Sequence, residues 1–220
     1  MKEGESVMRI VDLTMTLKTG APVFPGDPLP IVRTWTTIRE HGYYSNLLVF
    51  GEHTGTHVDA PAHFIEDAPT VDEVPIERFM GRGVVIDASS LDGKALINKE
   101  FIEAELKKLG VNVGPGWVVL FYTGHDEKAG KPEWFEHPGL DESGARYLAE
   151  RNVNAVGIDA PSIDHEPFPG HRILLSRGIL IYENLTNLRE LLGRPGFQFI
   201  GLAAEDSERL SESGARHSDT

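Results

Sequence analysis

Residues 53–64 read His53-Thr54-Gly55-Thr56-His57-Val58-Asp59-Ala60-Pro61-Ala62-His63-Phe64, so three of the chain's nine histidines and an aspartate crowd into one short segment. Neutral imidazoles and a carboxylate are the ligands that borderline divalent ions such as zinc and manganese select. Gly55 permits a tight turn between His53 and His57. In an extended backbone His57 and Asp59, two apart, share a face, and Pro61 opposes a helix running through the segment. The competing reading is a polar loop of satisfied core histidines. It is disfavoured because burying three imidazoles and a carboxylate without a cation leaves costly unpaired polar groups.

The rest of the chain limits what this segment can belong to. Its 220 residues, 40% of them hydrophobic, suffice for one domain with a real core, expected over residues 1–204. Residues 205–220 are polar with a single leucine. They cannot bury enough apolar surface to offset their ordering entropy, so a mobile tail is expected. The net charge of −13, from 34 acidic and 21 basic residues, gives no general attraction for phosphate backbones, so no nucleic-acid partner is expected. Cysteine is absent, which excludes disulfides and thiolate metal sites. No apolar run approaches the roughly 18 to 20 residues of a membrane span. Met1–Met8 carries two acids and no long apolar stretch, unlike a signal peptide. The expectation is a soluble, cytoplasmic protein with no membrane partner.

Strand-like segments are frequent: Arg9–Leu17, which alternates, Ile31–Ile38, Asn46–Phe50, Gly83–Ala88, Trp117–Thr123, Ala155–Asp159, Gly178–Tyr182 and Phe197–Leu202. Several are continuous apolar runs, as in strands buried on both faces. Asn98 can cap a helix over Lys99–Leu109, with Ile102, Leu106 and Leu109 inward and Gly110 as terminator. Asp141 can cap a second helix to Arg151, with Ala145, Leu148 and Ala149 inward. Shorter helices are expected at Ile76–Met80 and Asn187–Leu192. The pattern is mixed α/β, with no internal repeat.

What completes the first cluster must come from elsewhere. His125 and His137 sit in charged, loop-like surroundings and read as surface histidines. Gly157–Glu183 differs: Gly-Ile-Asp-Ala-Pro-Ser-Ile-Asp-His is followed by a Pro/Gly-rich loop to His171, then by a strand-like run ending in Glu183. A glutamate closing an apolar run needs a cation or another partner. His165 or His171, together with Glu183, is therefore a candidate second half of a metal site, against the alternative of an ordinary strand-end acid. Asp159 and Asp164 read equally as groups orienting a histidine or as turn caps beside Pro161.

The segment from His53 to Phe64 resembles the signature of the cyclase family of metal-dependent hydrolases, which includes bacterial kynurenine formamidase and isatin hydrolase. The likeness extends through Asp12-Leu-Thr, Pro22-Val-Phe-Pro-Gly-Asp27, Gly157 to Asp164 and Gly178 to Glu183, and covers roughly residues 8–202. It implies a swivelling β/β/α-type α/β fold, a mixed sheet with flanking helices, and a homodimer. It also implies His53, His57 and Asp59 as metal ligands and His63 as the catalytic acid/base. The family's later histidine precedes a strand-end glutamate by twelve residues, which selects His171 with Glu183. Phe24 stands where kynurenine formamidases carry a substrate-contacting tryptophan, keeping the aromatic face without the indole N–H. Beyond Leu202 the family continues to a Pro-Val-Arg segment and a last strand, and this chain becomes a polar tail.

Two divalent ions, zinc first and manganese second, suit this ligand set. Asp59 and Glu183 offset their charge only in part, and a bridging hydroxide shared by metals about 3.5 to 4 Å apart reduces the excess. The expected reaction is hydrolysis of an amide in a small molecule, such as N-formylkynurenine or another N-formyl aromatic amine. A cyclic-amide or lactone hydrolase, or a cyclase, is the alternative. A serine hydrolase is rejected, since no Gly-x-Ser-x-Gly elbow occurs, and no P-loop or dinucleotide fingerprint is present. A non-catalytic metal-stabilised binding module is the rival from another class. A histidine free of metal, the place offered to His63, argues for the enzyme.

Overall fold

Apolar runs of β-branched residues line up as the centre of one sheet. The computed structural model describes residues 9–203. The strands are β1 (Ile31–Thr36), β2 (Ser45–Val49), β3 (His57–Asp59), β4 (Met80–Asp87), β5 (Leu96–Ile97), β6 (Trp117–Tyr122), β7 (Gly139–Leu140), β8 (Ala155–Ile158), β9 (Leu180–Glu183) and β10 (Phe197–Ile200). The helices are α1 (Ile38–His41), α2 (Lys99–Lys108), α3 (Glu142–Glu150) and α4 (Pro169–Leu175). Six strands form a mixed sheet in the order β10-β4-β6-β8-β9-β3. β4, β6, β8 and β9 run parallel, and β10 and β3 close the two edges antiparallel.

The parallel strands are covered on both faces, which explains their unbroken apolar sequence. Val84, Ile86, Val119, Phe121, Val156, Ile158 and Ile181 pack against Ile102 and Leu106 of α2, Ala145 and Leu148 of α3, and Leu174 and Leu175 of α4. Val85, Val118, Leu120, Leu180 and Tyr182 pack on the other side with Leu185, Leu188 and Phe199. Asn98 caps α2 through Phe101 N–H, and Asp141 caps α3 through Gly144 N–H, as expected. Ile76–Phe79 and Leu188–Leu191 are 3-10 turns.

Two expectations need correction. Arg9–Leu17 does alternate between exposed and half-buried residues, yet it joins no ladder. Its polar backbone is taken up by loops instead: Met15 N–H donates to Thr56 Oγ1 and Leu13 C=O accepts from Thr186 N–H. The Pro/Gly-rich loop expected before His171 is in part the helix α4. Pro169 opens it, where a missing N–H costs nothing. The polar segment 205–220 lies outside the described residues, and among those described no helix is long and apolar enough to cross a membrane.

Candidate metal centre

β3 is three residues long, and its register sets the site. His57 pairs with Glu183 and Asp59 with Ile181 across the β3–β9 ladder. Directly opposed residues of an antiparallel pair share a face, so His57 and Glu183 point the same way. Gly55 turns the chain in front of β3 at φ 69°, and Pro61 starts a short 3-10 turn that brings His63 back over the strand. His171 arrives from the first turn of α4.

The structure brings His53, His57, Asp59, His63, His171 and Glu183 into one cluster. Asp59 Oδ1 lies 3.0 Å from His53 Nδ1 and 3.4 Å from His57 Nε2, while its Oδ2 lies 3.5 Å from His171 Nε2. Glu183 divides its oxygens similarly, with Oε2 3.5 Å from His57 Nε2 and Oε1 3.2 Å from His171 Nε2. Ligand atoms of His53, His57 and Asp59 all fall within 4.8 Å of one another, and so do those of Asp59, His63 and His171. The Phe24 ring lies edge-on to that of Phe135 at 6.2 Å. A cavity of about 460 Å³ opens beside it, walled by Pro22, Leu29, Trp134 and Phe135.

The donor set fits divalent cations. His57 Nε2 and both Asp59 oxygens are buried with no hydrogen-bond partner. Orphaned buried acceptors of this kind are costly unless a cation meets them. Burial alone would lower the His57 pKa, but Asp59 and Glu183 outweigh it and push it up to about 10. The site therefore draws positive charge strongly. His63 is exposed at the rim, its ring 4.1 Å from that of His53. Partial desolvation lowers its pKa, and the Asp59 charge pulls it back in part.

The surrounding groups fix the rings. His57 Nδ1–H donates to Gly55 C=O at 2.9 Å, leaving Nε2 for the cluster. Asp164 accepts from His171 Nδ1–H at 2.6 Å and from the backbone N–H groups of Gly170 and His171. Gly170 has no room for a side chain, since a Cβ would stand 2.8 Å from Asp164 Oδ2. Phe64 stacks on the His171 ring at 4.7 Å. Asp159 does not reach a cluster histidine. It accepts from Thr123 N–H, Thr123 O–H and Gly124 N–H and so holds the loop after β6. His125 and His137, expected at the surface, are buried. The His137 ring stacks on that of His165 at 4.3 Å, and His165 Nε2–H donates to the His137 carbonyl. His165 is thereby committed away from the cluster.

The Cyclase family model matches residues 11–165. The chain belongs to the cyclase family. Among its relatives, the kynurenine formamidase of Bacillus cereus is 28% identical over 180 residues, covering 80% of this chain and 81% of that one. The kynurenine formamidase of Erythrobacter litoralis is 29% identical over 194 residues, covering 84% and 83%. Isatin hydrolase A from Labrenzia aggregata, solved with benzyl benzoate, superposes with a TM-score of 0.82 at 28% identity, covering 90% of this chain and 88% of that one. The family match takes in His53, His57, Asp59 and His63 and ends before His171 and Glu183.

Proposed function

We propose that the protein hydrolyses an N-formyl aromatic amine of the N-formylkynurenine type. The chain is a metal-dependent hydrolase of amide bonds, as its family membership and its formamidase and isatin hydrolase relatives indicate. One observation carries the reading: three imidazoles and two carboxylates converge, and at their centre His57 Nε2 and both Asp59 oxygens are buried with no hydrogen-bond partner. Divalent ions held there would supply an acidified water and an electrophile for the substrate carbonyl.

His53, His57 and Asp59 would hold one ion, and His171 and Glu183 would hold the other. Asp59 and Glu183 would be placed to serve both, because each presents one oxygen to His57 and the other to His171. Zinc is the expected ion, with manganese accepted by the same donors. His63, at the open rim, delivers a proton to the departing nitrogen. Phe24 offers an aromatic face to the aryl group. Cleavage of a cyclic amide is the second reading, favoured by the isatin hydrolase likeness.

A second copy of the chain is the proposed partner. The β1–β2 ribbon and α1 expose Trp35 at 68%, Ile38 at 70% and Tyr43 at 60%, with Leu48 and Phe50 alongside. Large apolar side chains exposed this close together in the chain suit an interaction site. Elemental analysis followed by assays on N-formyl aromatic amines and cyclic amides tests the assignment. Two divalent ions per chain and turnover of the N-formyl amines are expected. Turnover of neither class with both ions bound would void the substrate.

A further inference from the structure

We propose that Asn184 is a positioning residue that sets the tautomer and aim of His57 through the carbonyl of Gly55. Asn184 directly follows Glu183 and adopts left-handed backbone at φ 55°. Its side chain is buried. Nδ2–H donates to Gly55 C=O at 3.0 Å, the same oxygen that accepts from His57 Nδ1–H. The reverse amide orientation would set oxygen against oxygen, so the donor assignment follows from the contact. Asn184's own backbone is held on both sides: its N–H donates to Ala160 C=O, and its C=O accepts from Thr56 Oγ1–H.

The arrangement is a clasp between the two halves of the cluster. Gly55 sits at φ 69°, where a glycine peptide is free to swing. The Asn184 amide stops that swing and presents the Gly55 oxygen to His57 Nδ1. A ring whose Nδ1 carries the proton keeps the Nε2 lone pair for a cation. The residue that ends the Glu183 strand therefore dictates which nitrogen of His57 is available. Nothing in this chain places Asn184 in contact with substrate or ion; it acts through His57.

The inference rests on His57 and Glu183 being metal ligands, and the experiment separates the two claims. Asn184→Gly keeps the left-handed backbone and deletes the donor. Asn184→Asp keeps the shape and replaces the donor with an acceptor. Zinc affinity is measured by competition with a chromophoric chelator, and the His57 tautomer by long-range ¹H–¹⁵N correlation in the zinc-loaded protein. Melting of the metal-free protein serves as the structural control. Both variants are expected to bind zinc about 10- to 100-fold more weakly and to lose the single Nδ1–H signature of His57, with Asn184→Gly melting close to wild type. Wild-type affinity and an unchanged tautomer in either folded variant would overturn the proposal, as would loss of stability with the tautomer intact. If Asn184→Gly does not fold, Asn184→Asp decides. His57→Ala binding zinc as tightly as wild type would refute the ligand reading instead.

Discussion

His57 and Glu183 face each other across the β3–β9 ladder, 3.5 Å apart from Nε2 to Oε2, although 126 residues separate them in the chain. Their side chains join the edge strand to the parallel core at the point where the cations are expected. Removing one of them should therefore weaken metal-dependent stability without collapsing the sheet. In His57→Ala, adding zinc should raise the melting temperature less than in wild type. In wild type, zinc at a hundred times its dissociation constant should stabilise by about 2.7 kcal/mol. Thermal melts with and without chelator check this.

His63 lies at the rim, and its replacement distinguishes an acid/base from a ligand. His63→Ala should keep its metal content while turnover falls by about 10² to 10⁴. Elemental analysis beside steady-state kinetics reads both. Loss of an ion would place His63 with Asp59 and His171 as a ligand.

Asp164 holds His171 by its Nδ1–H and also fastens the first turn of α4. Asp164→Ala should lower metal affinity or activity about 10- to 100-fold. The deficit should exceed that of Asp159→Ala, whose lost contacts lie in the loop after β6. Chelator competition on both variants makes the comparison.

Much of this could be read from the sequence, for physical reasons that differ along the chain. The candidate ligands in 53–64 are near neighbours, so their spacing alone constrains their geometry. Strands β4, β6, β8 and β9 are buried on both faces, and their apolar runs announce it. His171 was not separable from His165 by residue type, because what distinguishes them is a distant partner: the His137 carbonyl takes His165, and Asp164 takes His171. Helix α4 was hidden because Pro169-Gly170 reads as a breaker, whereas proline at a helix start is tolerated. His125 and His137 have polar neighbours in sequence but aromatic ones in space. Asn184 carries no motif and shows itself only through its bond to Gly55.

Burial keeps the His137 imidazole neutral, its pKa pushed down to about 3. The unfolded chain titrates near 6.5. Between those values the unfolded state binds a proton that the folded state refuses. Stability is thus whole above about pH 6.5 and declines as the pH falls towards 3. His137→Asn should flatten this acid limb, shrinking the stability loss between pH 7 and pH 5 by about 1 to 2 kcal/mol at 1.36 kcal/mol per pKa unit. Urea titrations of the metal-free proteins at the two pH values measure it.

Phe24→Ala should raise KM for an N-formyl aromatic amine while leaving kcat within a few-fold. An aromatic contact worth about 0.5 to 1.5 kcal/mol predicts a change of roughly 2- to 12-fold. Substrates lacking the aryl ring should be indifferent to the change, and initial-rate assays on both kinds compare them.

The histidine segment occupies the outermost strand of the sheet, and that strand has three residues. Few backbone bonds therefore hold this edge to the core, and cations bound in the cluster would act as its rivets. An enzyme stripped of its ions should let this margin peel and reseal while the interior stays folded, so that deuterium uptake at residues 53–63 would gauge metal occupancy without any substrate.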